Sequence, residues 1–228
     1  MSVAQAKNTI RSGARQQLIA AAEQLFAESG IDAVSLRQIN VAAGQKNSSA
    51  AHYHFGSKQA LILAIYSTRM EHVNQRRIMM LEQIKLASKQ RNIRDLIEAI
   101  VYPIVAEIDA DTSGRHYIRF MAQAIGHPQL DLIELWQQEH GEGLATTLQL
   151  LRAALPDLPE PLFGQRFGLV FEQIVHSLAD REKLRGTAQD NFKVDGKLFV
   201  SNLIDVISGS MTAPVSAETR NALKRVSS

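Results

Sequence analysis

The chain has 228 residues, of which 45% are hydrophobic and 21% charged, with a net charge of +2 and no cysteine. That length allows one or two domains with a sizeable core, and the composition is that of an ordinary soluble globular protein. Disulfides and thiolate metal sites are excluded, no run approaches the roughly twenty apolar residues that span a bilayer, and residues 1–13 lack the apolar core of a signal peptide.

A cysteine-free chain of this kind is compatible with a reducing, cytoplasmic setting and predicts no membrane partner. Charge is spread unevenly. Lys7, Arg11, Arg15, Arg37, Lys46 and Lys58 outweigh Glu23, Glu28 and Asp32 in residues 1–60, a balance of +3 that leaves −1 for the remainder. The excess is a weak pointer to a polyanion partner.

Apolar periodicity is helical throughout, so an all-α fold is expected. The first helix is predicted over residues 12–29, where Leu18, Ala22, Leu25 and Phe26 form one stripe and Gly30 ends it. Ser35 with Gln38 three residues on is a capping box. It opens a short helix with Leu36, Ile39 and Ala43 on its apolar face, and Gly44 stops it. Asn47-Ser48-Ser49 can cap a third short helix running through Tyr53. Phe55-Gly56 closes that helix, and Ser57 caps a longer one.

Two short helices joined at a glycine and preceded by a longer one make a helix-turn-helix unit. In such a unit the second helix presents small and polar residues to the major groove. Ser48, Ser49, Ala50 and Ala51 suit close approach, and Lys46 and Lys58 flank them where phosphates would lie. On this pattern alone, two surface helices of a bundle are the alternative.

Leu25-Phe26, Gly30, Leu36, Ile39, Ala43-Gly44, Tyr53-His54-Phe55 and Lys58 stand in the order and approximate spacing of the TetR-family N-terminal domain, which residues 15–65 resemble. The resemblance implies a three-helix DNA-binding domain followed by an all-helical domain that binds an effector and dimerises. It also favours repression. It puts the recognition helix on residues 48–54 and the family's phosphate-contacting lysine on Lys58. The expected DNA contacts are Arg37, Gln45, Lys46, Asn47, Ser48, Ser49, His52, Tyr53, His54 and Lys58.

Three departures stand out. The stretch from Gly44 to Phe55 is one residue longer than the usual pattern, so the turn or the helix start must absorb it. His52 stands where tyrosine is more usual, and Asn40 replaces a small alanine in the supporting helix.

The fourth helix is expected from Lys58 to about Ser88, with Leu61, Ile62, Ile65, Tyr66, Met70 and Val73 inward. Glu71, Arg76, Arg77, Glu82 and Lys85 read as solvent-facing. A helix over 95–108 contains Pro103, which should bend or break it, and residues 109–114 read as a capping loop. The next helix carries Tyr117, Phe120, Met121 and Ala124 and ends at Gly126-His127-Pro128. A long helix over 130–154 carries Trp136, and the proline-rich residues 156–161 separate it from two last helices.

The expected organisation is a DNA-binding domain at 1–56, an effector-binding and dimerisation domain at 57–216, and a mobile tail at 217–228.

The last two helices are apolar on more than one face and need cover on more than one face. Packing against a second copy predicts a homodimer through Phe163, Val170, Ile174, Leu178, Phe199, Leu203, Val206 and Ile207. Complete burial within one chain is the alternative. A two-fold dimer would read an inverted-repeat operator in double-stranded DNA.

For an effector, Tyr117, Phe120, Met121, Trp136, Phe167 and Phe171 can converge on a largely apolar molecule oriented by His116, Gln123, Gln173 or His176. An aromatic stripe at helical spacing is more often core than ligand site, and filled core is the alternative. The reading is then of a repressor released by a small apolar ligand.

Catalysis finds little support. The seven histidines form no His-x-x-x-His pair, and neither a nucleophile elbow nor a phosphate-binding glycine loop is present. Neither an enzyme nor a bound metal or cofactor is expected. A helical protein-interaction module without a small-molecule effector is the competing class. The basic groups flanking the third helix favour DNA over it.

Overall fold

A computed structural model of the chain describes residues 3–86, 92–130, 141–185, 187 and 195–226, which contain helices and turns and no strand. The helices are α1 (Val3–Ser29), α2 (Leu36–Ala42), α3 (Ala50–Phe55), α4 (Lys58–Leu86) and α5 (Ile93–Ala110). They continue with α6 (Thr112–Ala124), α7 (Glu142–Ala154), α8 (Glu160–Leu184), α9 (Gly196–Thr212) and α10 (Ala217–Val226). No single helix among these residues is long and apolar enough to cross a membrane.

Local chemistry explains the boundaries. Ser35 caps α2 through the Gln38 amide, and the Gln38 side chain answers from the other side, so the capping box forms. The Gly44 backbone turns at φ +63°, a conformation costly for any residue with a Cβ. Residues 109–114 are not a loop. α5 runs through to Ala110, and Asp111 alone separates it from α6, its carboxylate accepting from the Gly114 amide at 2.9 Å. Pro103 lies inside α5 without ending it. Residues 217–226, read as tail, are helical. The expected end of the fourth helix and the first part of the expected 130–154 helix lie outside the described residues.

α1 forms the centre of the N-terminal unit. Leu18, Ala22 and Phe26 are fully buried and belong to one core with Ile39 of α2, Ala50 and Ala51 of α3, and Leu61 and Ile62 of α4, the helices against which α1 packs. The core then continues into the rest of the chain. α1 also lies along α6, where the Phe26 and Phe120 rings stack with centroids 6.0 Å apart. α4 packs on α5 and α7, α6 on α8, and α9 on both α5 and α8.

One ion network ties these layers together. Arg69 of α4 grips Glu23 of α1 with two hydrogen bonds of 2.9 and 2.8 Å, reaches Glu107 of α5 at 2.9 Å, and bonds Ser113 of α6 at 2.6 Å. Arg76 takes the other Glu107 oxygen at 2.6 Å. Burial dominates at Glu23 and raises its carboxyl above the usual range despite Arg69. At Glu107 burial also pushes upward, but hydrogen bonds from Arg76 and Arg69 outweigh it and hold the carboxyl below its ordinary value.

Two expectations about exposure are overturned. Arg77 is not solvent-facing but 3% exposed, because α5 and α7 cover a second face of α4. Ala50 and Ala51 do not face outward either. Both are buried, their small side chains letting α3 sit close on α2.

Candidate nucleic-acid interface and effector cavity

α2, α3 and the turn between them carry most of the expected DNA-contacting residues on exposed positions. Arg37, Lys46, Asn47, Ser48, Ser49, His52 and Tyr53 are exposed, and Gln45, His54 and Lys58 are half-buried. Gln45 donates to Gln17 of α1 at 3.0 Å and to the Ala43 carbonyl at 3.1 Å, fixing the end of α2. Lys58 lies over the Phe26 ring at 5.7 Å with its Nζ 3.5 Å from the Asp32 carbonyl, so its stem is packed and its charge sits beside α1.

Sequence reasoning passed over Val41. It is 74% exposed at the end of α2, and its signal was an apolar residue off the helix's buried face. Tyr53 is similarly 66% exposed. A surface of this kind combines charge with apolar edges, the two features that phosphates on one hand and sugars and thymine methyls on the other call for.

The extra residue between Gly44 and Phe55 is absorbed before α3, which starts only at Ala50. Asn40 holds that longer turn. It is 2% exposed, its amide donates to the Ser48 carbonyl at 2.5 Å, and its oxygen accepts from the Ala51 amide at 2.8 Å. Two backbone groups that the turn would leave unpaired are thereby satisfied, and the start of α3 is anchored to α2. An alanine there offers neither bond.

The helical region beyond α4 encloses a cavity of about 20 Å³ lined by Tyr66, Met70 and Arg77 of α4, Ile104 of α5, Tyr117, Ile118 and Met121 of α6, Leu144 of α7, and Phe171 and Val175 of α8. Of the residues expected at an effector site, Tyr117, Met121 and Phe171 are in this lining. Phe120 is fully buried against Phe26, and Phe167 is half-buried with its ring 6.0 Å from that of Phe171. Gln173 and His176 are exposed on α8, and Trp136 lies outside the described residues.

The residues expected at a dimer interface do not share one environment. Phe163, Val170, Ile174, Leu178, Leu203 and Ile207 are buried within the single chain, Phe199 is half-buried, and Val206 is 43% exposed. The outer faces of α8 and α9 present Leu169 at 67% and Leu198 at 59% instead. Gly164, Gly168 and Gly209 stand on these two helices with open space where a Cβ would be.

A three-helix head with a helix-turn-helix, fused through α4 to an all-helical region with an internal cavity, defines a class of DNA-binding regulators. Residues 18–65 match the model for bacterial regulatory proteins of the tetR family, and residues 98–210 match the tetracyclin repressor-like C-terminal domain. The chain belongs to the TetR family of transcriptional regulators.

Solved structures agree on the fold. The fatty acid degradation regulator FadR from Bacillus halodurans superposes with a TM-score of 0.52 at 14% identity, covering 88% of this chain and 99% of that one. A TetR-family regulator from Mesorhizobium loti gives a TM-score of 0.51 at 16% identity, with 89% and 96% covered. No curated protein matches the chain significantly.

Proposed function

We propose that the protein is a homodimeric repressor that reads an inverted-repeat operator with two copies of α3 and leaves it when a small molecule occupies the α4–α6–α8 cavity. The observation that carries this reading is the course of α4. Tyr66, Met70 and Arg77 line the cavity, and the same helix begins at Lys58, with only two residues between it and the end of α3. An effector that displaces α4 moves the reading head with it.

Pairing of the α8 and α9 outer faces across a two-fold axis is supported by Leu169, Leu198 and Val206 beside glycines that allow close helix approach. The expected DNA contacts are the ten residues named above on and around α2 and α3, with Lys46 and Lys58 toward phosphate and α3 toward base edges.

Affinity alone does not release a repressor. The effector must prefer the conformation in which the two α3 helices are wrongly spaced for successive major grooves. A coupling of roughly 1–3 kcal/mol changes DNA affinity about 5–150-fold, and operator must weaken effector binding by the same factor. The test is selection of an operator from random duplexes, followed by effector titrations into free and operator-bound protein. An inverted repeat with reciprocal weakening is expected. Duplex binding without sequence preference, or equal effector affinity in both titrations, overturns the reading.

A further inference from the structure

We propose that the cavity is an anion site, and that its effector carries a carboxylate or comparable oxyanion paired with Arg77 and bonded by Tyr117, with an apolar body between α4, α6 and α8. This rests on the reading of the cavity as the effector site and narrows the ligand from an apolar molecule to an amphipathic anion.

The cavity wall holds a charge with no counter-charge. Arg77 is 3% exposed, and its Nε donates to the Ala99 carbonyl at 3.1 Å. No carboxylate pairs with it among the described residues, whereas Arg69, Arg76, Arg94, Arg115, Arg152 and Arg185 all have one. A buried cation without a counter-ion is costly, and an incoming oxyanion removes that cost. The planar guanidinium, anchored by Nε, suits bidentate pairing through its two terminal nitrogens.

Tyr117 supplies the second observation. It is 1% exposed in the same lining, and its hydroxyl has no hydrogen-bond partner among the described residues. Burial pushes the phenol well above its ordinary value, so it stays a neutral donor. Burial likewise pulls the guanidinium down to about 10, which leaves it charged at neutral pH.

The rest of the lining is apolar apart from Tyr66, so a second charge on the effector has no partner there. The space of about 20 Å³ suits a small polar group and nothing larger. An apolar body enters only by parting its walls, and Met70 and Met121 are the unbranched side chains able to give way. Entry therefore separates α4 from α6, the movement that the repressor reading requires.

The probes are octanoate, octanesulfonate and octyl phosphate against 1-octanol and octylamine, titrated calorimetrically into the full-length wild type, Arg77→Met and Tyr117→Phe. The wild type should bind at least one anion at least about tenfold more tightly than the alcohol or amine. Tyr117→Phe, which deletes a single oxygen, should weaken that anion by roughly 10- to 150-fold, the range for a hydrogen bond to a charged group. Arg77→Met should abolish the preference for anions and raise the melting temperature of the free protein. A purely structural arginine would lower it.

Equal binding of octanol and the anions, a preserved preference in Arg77→Met, or no binding by any of the three anions overturns the proposal. If Arg77→Met fails to fold, unchanged anion affinity in Tyr117→Phe overturns it alone. Arg77-dependent anion binding with operator affinity unchanged leaves the anion site standing and removes the induction reading.

Discussion

Replacing Asn40 with alanine isolates the part of the head that holds the longer turn. The substitution removes the acceptor for the Ala51 amide and the donor to the Ser48 carbonyl. Ser48 is exposed, so its carbonyl can turn to water at little cost. Ala51 is fully buried, and its stranded N–H bears the desolvation penalty, about 1–3 kcal/mol. With the small void left by the missing amide, a loss of about 2 kcal/mol per protomer is expected.

Much of that loss should fall on α3, which spans only Ala50–Phe55 and has few other anchors. Operator affinity should drop by up to roughly 30-fold per half-site, at 1.4 kcal/mol per factor of ten. The assays are denaturant unfolding, fluorescence anisotropy on operator DNA, and amide exchange at Ala51, which should accelerate. Unchanged exchange at Ala51 together with operator affinity within a factor of two of wild type would refute the reasoning.

Lys46→Ala should weaken matched and mismatched DNA alike and lower the salt slope by about one unit per protomer, read from anisotropy titrations across salt concentrations. A change in sequence preference would count against its assignment to phosphate. Leu169→Asp and Val206→Asp should each give folded monomers by analytical ultracentrifugation, because both side chains are exposed on a single chain. Leu203→Asp, at a buried position, should unfold the protein instead. Glu107→Gln tests the ion network through pH. The wild-type carboxyl lies below its ordinary value of 4.5, so it adds stability above that pH and loses it as the pH falls through the lower folded value. The variant should be less stable by about 1.5–3 kcal/mol at pH 7 and converge on wild type in acid. A constant difference down the acid limb would refute the assignment.

What could be read from sequence was local. Ser35 with Gln38, Gly44 and Gly56 each place a boundary through chemistry confined to a few neighbours, and the structure has all three in those roles. What escaped depends on partners far along the chain. Asn40 drew notice as a departure, yet its bonds reach eight and eleven residues ahead and belong to a turn whose path the sequence does not write. Arg77 looked like solvent face because a charge on a helix usually is one, and only the packing of α5 and α7 takes it inside. On α8 Phe163 and Phe171 are interior and Phe167 half-buried, so the larger apolar pattern concealed the smaller exposed one at Leu169.

The contacts along α1 bear on how this regulator can be rebuilt. Grafting a new reading head onto a sensing body is a common plan for making reporters, and the chain invites a cut after residue 56. Such a cut would keep Arg119, Phe120 and His127 while replacing what they meet. The Phe26 ring stacks on Phe120, the Ala27 carbonyl accepts from Arg119 at 3.0 Å, and Asp32 lies 3.2 Å from His127. A transplanted head therefore needs a matched seam on α6, and a carboxylate at the position of Glu23 to receive Arg69. Chimaeras that exchange α1 together with the facing side chains of α4 and α6 should yield working sensors more often than those joined at the linker alone.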